Sequence, residues 1–379
     1  MQHKTLIFIL YAVIIPLLCS CNGNATRTTA TEHGDTLQMY HSSLLQIVEY
    51  EGYIRVNIKN PWKKGKLLHQ YLLLHKDSTA DINPHEGATL LHTPLDKQLL
   101  FATLHAELFT MLGCEDAISG VCDAQYMSVP AVQQGIANGK IIDCGNSMDI
   151  NLEQLIELSP KAAWVIPFKN GGYGKMERTG IPLIECVDYM ENSPLGAAEW
   201  MRFYGRLLGV AEKADSLFDI VCDNYEETKS MIANCSRRPK LICELKSGAA
   251  WYMPGGNSTM GQLYRDAGAD YLFGNNDERG GVPLSFETVL ERGENADIWL
   301  FKYNTHENKS YLILEKEFEN YKLLRPFRER NIYACNTGRR RFYEETPFRP
   351  DILLRELSML FHPELSDGYT FRYYEKLQE

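Results

Sequence analysis

The chain has no CxxC pair, no Cys/His spacing suited to zinc and no HExxH, so the sequence pattern gives no support to a metal site. It also lacks a nucleophile elbow and a DxDxDG calcium loop. Two glycine turns, 171–174 and 254–256, occur without the trailing Lys-Ser/Thr of a phosphate loop. Positive charge is in deficit: 39 Lys and Arg face 49 Asp and Glu, a net charge of −10. Phosphate backbones select basic surfaces, so nucleic acid is not an expected partner. The imbalance is too mild, and the apolar fraction of 44% too ordinary, for disorder.

Long apolar runs are scarce as well. One extends from Leu6 to Leu18, after a short basic start (His3, Lys4) and before small residues. It reads as a secretory signal over 1–20, too short for a comfortable transmembrane helix. Its end, Leu18-Cys19-Ser20-Cys21, resembles a bacterial lipobox, with Cys21 as the lipidated residue. Cys19 is unusual at its position there, and plain secretion is the competing reading. The small, polar stretch that follows predicts a tether over 21–43. Eight further cysteines lie beyond Cys21, several inside apolar strand-like runs such as Leu241–Leu245. Buried free thiols are the expectation. Export permits disulfides, and Cys114 with Cys122 or Cys144 is left open.

What the chain does have is length and a repeated plan. Its 379 residues exceed one ordinary core, so two domains are expected. NLEQLIELSPKAAWVIP (151–167) and SFETVLERGENADIWLF (285–301) share one design. Each runs from a polar start and a glutamate (Glu153, Glu287) through a short amphipathic helix into a Trp-bearing strand. Around each, short apolar strands alternate with helices, the rhythm of a parallel sheet flanked by helices. Between them lies a helical region at 194–236, capped by Ser193, opened by Pro194 and interrupted at Gly209. Its second part, from about Ala211 to Asn234, would reach ~35 Å. The predicted class is α/β: two Rossmann-like lobes (44–193 and 237–379) with mainly parallel central sheets, joined by one long helix. A small β-rich extension, read from the alternation in 44–75, precedes the first lobe.

This arrangement resembles the periplasmic substrate-binding proteins whose two α/β lobes are joined by a rigid helix. They serve ABC importers of cobalamin, haem and ferric siderophores. The likeness runs from about Leu44 to Leu377. It rests on the order and spacing of GVCD (120–123), NLEQLIELSPKAAWVI, WYMPGGNSTMGQLYRDAGA (251–269), LSFETVL, and RPDILLREL followed by FHPEL. The β-rich segment before Lys97 departs from the shorter family members. The resemblance implies a monomer with no cofactor and no bond-making step, lipid-anchored on the periplasmic side of a membrane. Its partners would be a permease with its ATPase and a metal-chelate ligand. It also implies one permease-docking glutamate per lobe, Glu153 and Glu287. Both residues equally suit a helix first turn, where free amides and the macrodipole favour acids.

In parallel α/β lobes, ligands bind beyond the carboxyl ends of the strands. That rule picks out His105, Tyr126, Phe168, Tyr173, Trp251, Tyr252, His306, Arg339, Arg340, Arg341 and Tyr343. Stiff aromatic rings suit a large planar or catechol-bearing ligand. The arginine run suits its carboxylates or phosphates. His105 or His306 could ligate haem iron. Each has a plainer reading: tyrosines in ordinary packing, a solvated arginine loop, histidines as strand-end caps. An iron complex, ferric siderophore or haem, is the expected ligand, with cobalamin the alternative. A tetrapyrrole chelatase, using His105 or His306 with Glu344 as acid and base, is the competing class.

Overall fold

The computed structural model describes residues 34–379 apart from 81, 83 and 85. The expected signal, the lipidation at Cys21 and the tether as far as 33 lie outside the described residues. Short runs buried on both faces form parallel strands, because helices must then cover both sides. The first such sheet holds five, in spatial order Leu183–Glu185, Ala162–Val165, Gln98–Leu100, Ile118–Val121, Ile142–Asp143. All its pairings are parallel. The second runs Asp270–Tyr271, Lys240–Cys243, Ile298–Tyr303, Ile332–Asn336, with Glu375–Lys376 antiparallel at its edge.

The twin units occupy matching places. Helix Leu152–Leu158 feeds strand Ala162–Val165, and helix Phe286–Gly293 feeds strand Ile298–Tyr303. Side chains cap both helices: Asn151 accepts from the amides of Glu153 and Gln154, and Ser285 from that of Thr288. The two tryptophans are fully buried. Each satisfies its indole N–H, Trp164 on Gln98 Oε1 at 2.9 Å and Trp299 on the Glu244 carbonyl at 2.8 Å.

Helices Pro194–Glu199, Met201–Leu207 and Ala211–Ala233 connect the two sheets. The last, 23 residues, is ~35 Å long. Ala214, Phe218, Val221, Tyr225, Thr228 and Ile232 form its buried stripe, at the spacing of one helical face. Its first turns pack on Met201–Leu207, where a Cβ at Gly205 would stand 2.3 Å from the Ala214 methyl. Its later turns pack on Pro350–Phe361, with Asn224 Nδ2 donating to Asp351 at 3.2 Å. One straight element is thus buried against helices from both halves, which resists bending between them.

The extension is a separate five-stranded sheet: Asp35–Leu37, Leu45–Tyr50, Tyr53–Lys59, Leu67–His75 and Ala88–Thr93. Tyr71 fastens it, donating its hydroxyl to the Leu183 carbonyl at 2.8 Å and accepting from the Glu185 amide at 2.9 Å. The tether expected through residue 43 needs correction here. Asp35–Leu37 pairs with Leu45–Tyr50. The amides of Tyr40, His41 and Ser42 donate to the buried Glu199 carboxylate, and those of Ser43 and Leu44 to buried Glu191. Two desolvated carboxylates need such donors, so they hold a polar-looking segment in place.

Unanticipated by sequence periodicity, Lys246–Ser247, Ala250–Pro254 and Gly281–Leu284 form a three-stranded antiparallel sheet. Cys114, Cys122, Cys144, Cys186, Cys222, Cys235, Cys243 and Cys335 are all free thiols, so Cys114 bridges neither candidate partner. Among the described residues no helix is long and apolar enough to cross a membrane.

Candidate ligand-binding site

Both parallel sheets place a hollow where the first strand meets a neighbour that is out of sequence order, the crevice expected of such folds. In the N-terminal sheet that point lies between Gln98–Leu100 and Ala162–Val165. The hollow there holds about 350 Å³ and is lined by Phe101, Met148, Phe168 and Tyr173. In the C-terminal sheet it lies between Lys240–Cys243 and Ile298–Tyr303. The hollow there is about 720 Å³, with Glu244, Lys246, Tyr252, Arg279, Lys302 and Tyr343 on its wall.

A third hollow, about 320 Å³, joins the two halves. Leu104 and Tyr189 come from one side, Met260, Lys302 and Tyr343 from the other. Lys302, Tyr343 and Met260 belong also to the C-terminal hollow. Tyr189 donates its hydroxyl to the Pro167 carbonyl, next to Phe168 of the N-terminal hollow. The second and third hollows therefore run together as a cleft between the two halves, and the Tyr189 hydrogen bond brings the third next to the N-terminal hollow.

The two walls differ in chemistry. Phe168 is 51% exposed and Met148 78%, large apolar surface that water hydrates poorly. Tyr173 is held by Glu185, which accepts its hydroxyl at 2.6 Å. Burial pushes the Glu185 carboxyl up, and the Tyr173 hydrogen bond only partly offsets it. His69 of the extension lies 3.6 Å from the other Glu185 oxygen. The extension thus reaches the cleft through His69, Glu185 and Tyr173.

The opposite wall carries cations. Lys302 pairs with Glu244. Burial alone would lower the Lys302 pKa, but the Glu244 carboxylate outweighs it and keeps the ammonium charged. Lys246 and Arg279 form no ion pair among the described residues and face the same hollow.

Of the sequence candidates, Phe168, Tyr173, Tyr252 and Tyr343 line these hollows. Tyr126 is 66% exposed on the turn after Ile118–Val121 and lines none of the three. His105 needs correction as an iron ligand. It is fully buried, with Nε2 3.4 Å from Asp188 Oδ2, and it packs on Trp164 and Tyr204. Trp251 needs correction too. It is fully buried, and its indole donates to the Cys243 carbonyl at 2.8 Å. Alternation along Ala250–Pro254 turns Trp251 inward and Tyr252 outward. His306 is exposed, and its carbonyl accepts from Arg339 Nη2 at 2.6 Å.

The arginine run lines none of these three hollows. Arg340 lies 3.5 Å from Glu375. Arg341 meets both Glu107 oxygens at 3.2 Å and Glu345 at 2.6 Å. It fastens helix Thr103–Leu112 of the N-terminal half to the C-terminal half. Ser128 adds a second cross-link by donating to Glu344. Burial alone would raise the Glu345 carboxyl, but hydrogen bonds from Arg372, Tyr373 and Arg341 hold it below the usual range. For Glu107 burial dominates and pushes the pKa up, against the pull of Arg341. The acid and base of the chelatase reading take separate partners: His105 faces Asp188, and Glu344 accepts from Ser128.

Sequence reasoning missed Lys246, Lys302, Arg279, Met148 and Tyr189. Lys246 and Lys302 stand at strand ends already singled out, so the same rule applied to charge as well as to rings would have found them. Arg279 and Met148 sit on loops, with no periodic signal.

Glu153 and Glu287 are exposed in the first turns of their helices. The Glu287 carboxyl is held below its ordinary value by its own amide and by the Ser285 hydroxyl.

Residues 102–325 match the family model described as periplasmic binding protein. An uncharacterized lipoprotein of Methanocaldococcus jannaschii is 22% identical, the match covering 94% of this chain and 89% of that protein. A periplasmic heme binding protein from Pseudomonas aeruginosa superposes with a TM-score of 0.58 at 16% identity, over 75% of this chain and 99% of the other. The periplasmic vitamin B12 binding protein of Vibrio cholerae gives 0.53 at 12%, over 71% and 97%. At these identities the structural likeness is one of fold. With the family model covering more than half of its length, this chain belongs to the periplasmic binding protein family.

Proposed function

We propose that the protein is the lipid-anchored solute-binding component of an ABC importer for an iron complex, a ferric siderophore or haem. It would take the complex into the cleft and present it to a permease and its ATPase on the periplasmic side, anchored through Cys21. The observation that carries this reading is the pair of unlike walls: Phe168, Met148 and Tyr173 opposite Lys246, Arg279 and Lys302. A flat apolar ligand body buries area against the first wall, and anionic groups meet cations on the second. A long helix buried against both halves favours small lobe movement on binding. Glu153 and Glu287 are the docking carboxylates, one per half, available to bidentate arginines on the permease. Leu152 and Ile156, exposed at 37% and 73%, give the Glu153 site an apolar rim.

Cobalamin is the second reading. It is favoured by the engagement of Arg339 and Arg341 with protein atoms, which removes one argument for an anion.

The test is titration of the purified protein with haem, ferric siderophores and cobalamin, followed by absorbance and melting temperature. A ligand that binds only the folded state raises Tm. One iron complex should bind stoichiometrically and do so. The reading fails if none does, or if free porphyrin and metal are turned over into product.

A further inference from the structure

Cys235, His362 and Glu364 are far apart in sequence and meet at one point, away from the cleft. Cys235 follows the end of the connecting helix Ala211–Ala233. His362 caps helix Pro350–Phe361, and Glu364 lies in the turn Pro363–Leu365. The Cys235 sulfur, a His362 ring nitrogen and a Glu364 carboxylate oxygen all lie within 4.8 Å of one another. His362 Nδ1 is 3.6 Å from Glu364 Oε1. Two such ligands, each ~2.0–2.2 Å from one tetrahedral ion, stand ~3.3–3.5 Å apart. For the His362–Glu364 pair a shift of a few tenths of an ångström closes the difference, and the Cys235 sulfur, within 4.8 Å of both, has up to about 1.3 Å to move by side-chain rotation.

A second observation points to a ligand here. The His362 side chain is fully buried, and neither ring nitrogen closes a hydrogen bond of ordinary geometry among the described residues: its nearest polar neighbours are the Ala267 backbone and Glu364, the latter 3.6 Å from Nδ1. Buried polar atoms are rarely left unpaired. The surrounding backbone also favours a cation. A third helix, Thr259–Asp266, ends beside the site, and a Cβ on Gly268 just beyond it would stand 2.4 Å from His362 Nε2. With φ at +86° and no Cβ, Gly268 lets the ring lie against the backbone. Three helix C-termini, each with partial negative charge, thus converge on the imidazole. The guanidinium of Arg238, also beside Gly268, opposes a cation, and a thiolate with a carboxylate offsets it.

We propose that Cys235, His362 and Glu364 form a zinc site that fastens the end of the connecting helix to the end of helix Pro350–Phe361. Thiolate, imidazole and carboxylate together suit a borderline-soft divalent ion. Glu364, 55% exposed, leaves the fourth position to water. Binding releases the Cys235 thiol proton to solvent.

The experiment strips the purified protein with a chelator and titrates Zn2+ alone against a chromophoric competitor. Co2+ then serves as a spectroscopic stand-in. One zinc per chain and a rise in Tm are expected, together with a thiolate-to-cobalt absorption band. Cys235→Ser should abolish that band and weaken zinc at least about tenfold, on the scale by which even outer-shell partners matter. Glu364→Gln, at an exposed position, should weaken zinc several-fold while leaving the metal-free Tm unchanged. Equal zinc affinity in wild type and Cys235→Ser would overturn the proposal and assign any bound zinc to other cysteines. Absence of stoichiometric binding would overturn it as well.

Discussion

The two parallel sheets carry the same helix-to-strand unit but are wired differently. In the N-terminal sheet the first three strands run outward in one direction, and the fourth and fifth lie on the other side of the first. In the C-terminal sheet the second strand lies alone on one side of the first, and the third, fourth and fifth lie on the other. Even so, the Trp-bearing strand of each unit sits directly beside the first strand of its sheet. What the halves share is therefore the position that opens a crevice, and the path of the chain to it is free to differ. The two crevices also diverge in content. One presents apolar and aromatic surface, the other four cationic side chains (Lys246, Arg279, Lys302 and Lys309) around a single carboxylate, Glu244. On the proposed reading, a ligand between them would be gripped by area on one side and by charge on the other.

The sharpest way to break this comparison is outside the cleft. Reversing charge at both Glu153 and Glu287 should abolish uptake in cells while leaving ligand Kd unchanged. Each reversal alone should leave partial uptake. A fall in ligand affinity would remove the docking role. Next comes the cationic wall: Lys246→Glu with Arg279→Glu should weaken an anionic iron complex about 100-fold, or about 2.7 kcal/mol, and neutral cobalamin far less. Equal losses would make the charge difference between the walls irrelevant to selection.

A smaller effect is expected at the clasp between the halves. Glu345→Gln leaves Arg341 and Arg372 short of a charged acceptor and should cost on the order of 2 kcal/mol in urea unfolding. Glu345 is held below its ordinary value of 4.5 in the fold. Its contribution is thus present above the unfolded value and lost as pH falls through the lower folded one. Glu107, raised by burial, has the opposite sign and gains as it protonates. Acid unfolding of the wild type should therefore show a steeper loss below pH 4.5 than Glu345→Gln shows; parallel curves would contradict the clasp. Smallest is Phe168→Ala on the apolar wall. Loss of a half-exposed ring should weaken any flat ligand about tenfold, whatever its charge. A loss confined to one ligand would mean that the wall reads more than area.

Much of the fold was legible because it depends on local periodicity. The runs LICEL and IWLFK, the Ser193-Pro194 opening and the gap at Gly209 each declare an element from a few neighbouring residues. Part of the cleft was legible for the same reason, since strand ends can be read off such runs. Phe168, Tyr252 and Tyr343 were found that way. The errors fell where one residue decides the outcome. Trp251 and Tyr252 are adjacent, and only the pairing of Ala250–Pro254 with its neighbours settles which one faces the cleft. The segment 40–44 looks like a linker until the acceptors on Glu191 and Glu199 are seen.

By itself, then, the sequence determined the α/β class, the doubled unit and the long joining helix, because apolar spacing and caps act over a few residues. Tertiary structure decided which charges are free. Arg341 is consumed by Glu107 and Glu345, whereas Lys246 and Arg279 line the cleft with no ion pair among the described residues. It also brought Cys235 to His362 and Glu364. Ionic and metal-ligand contacts act through space over a few ångströms, and no spacing along the chain encodes which distant groups will come that close.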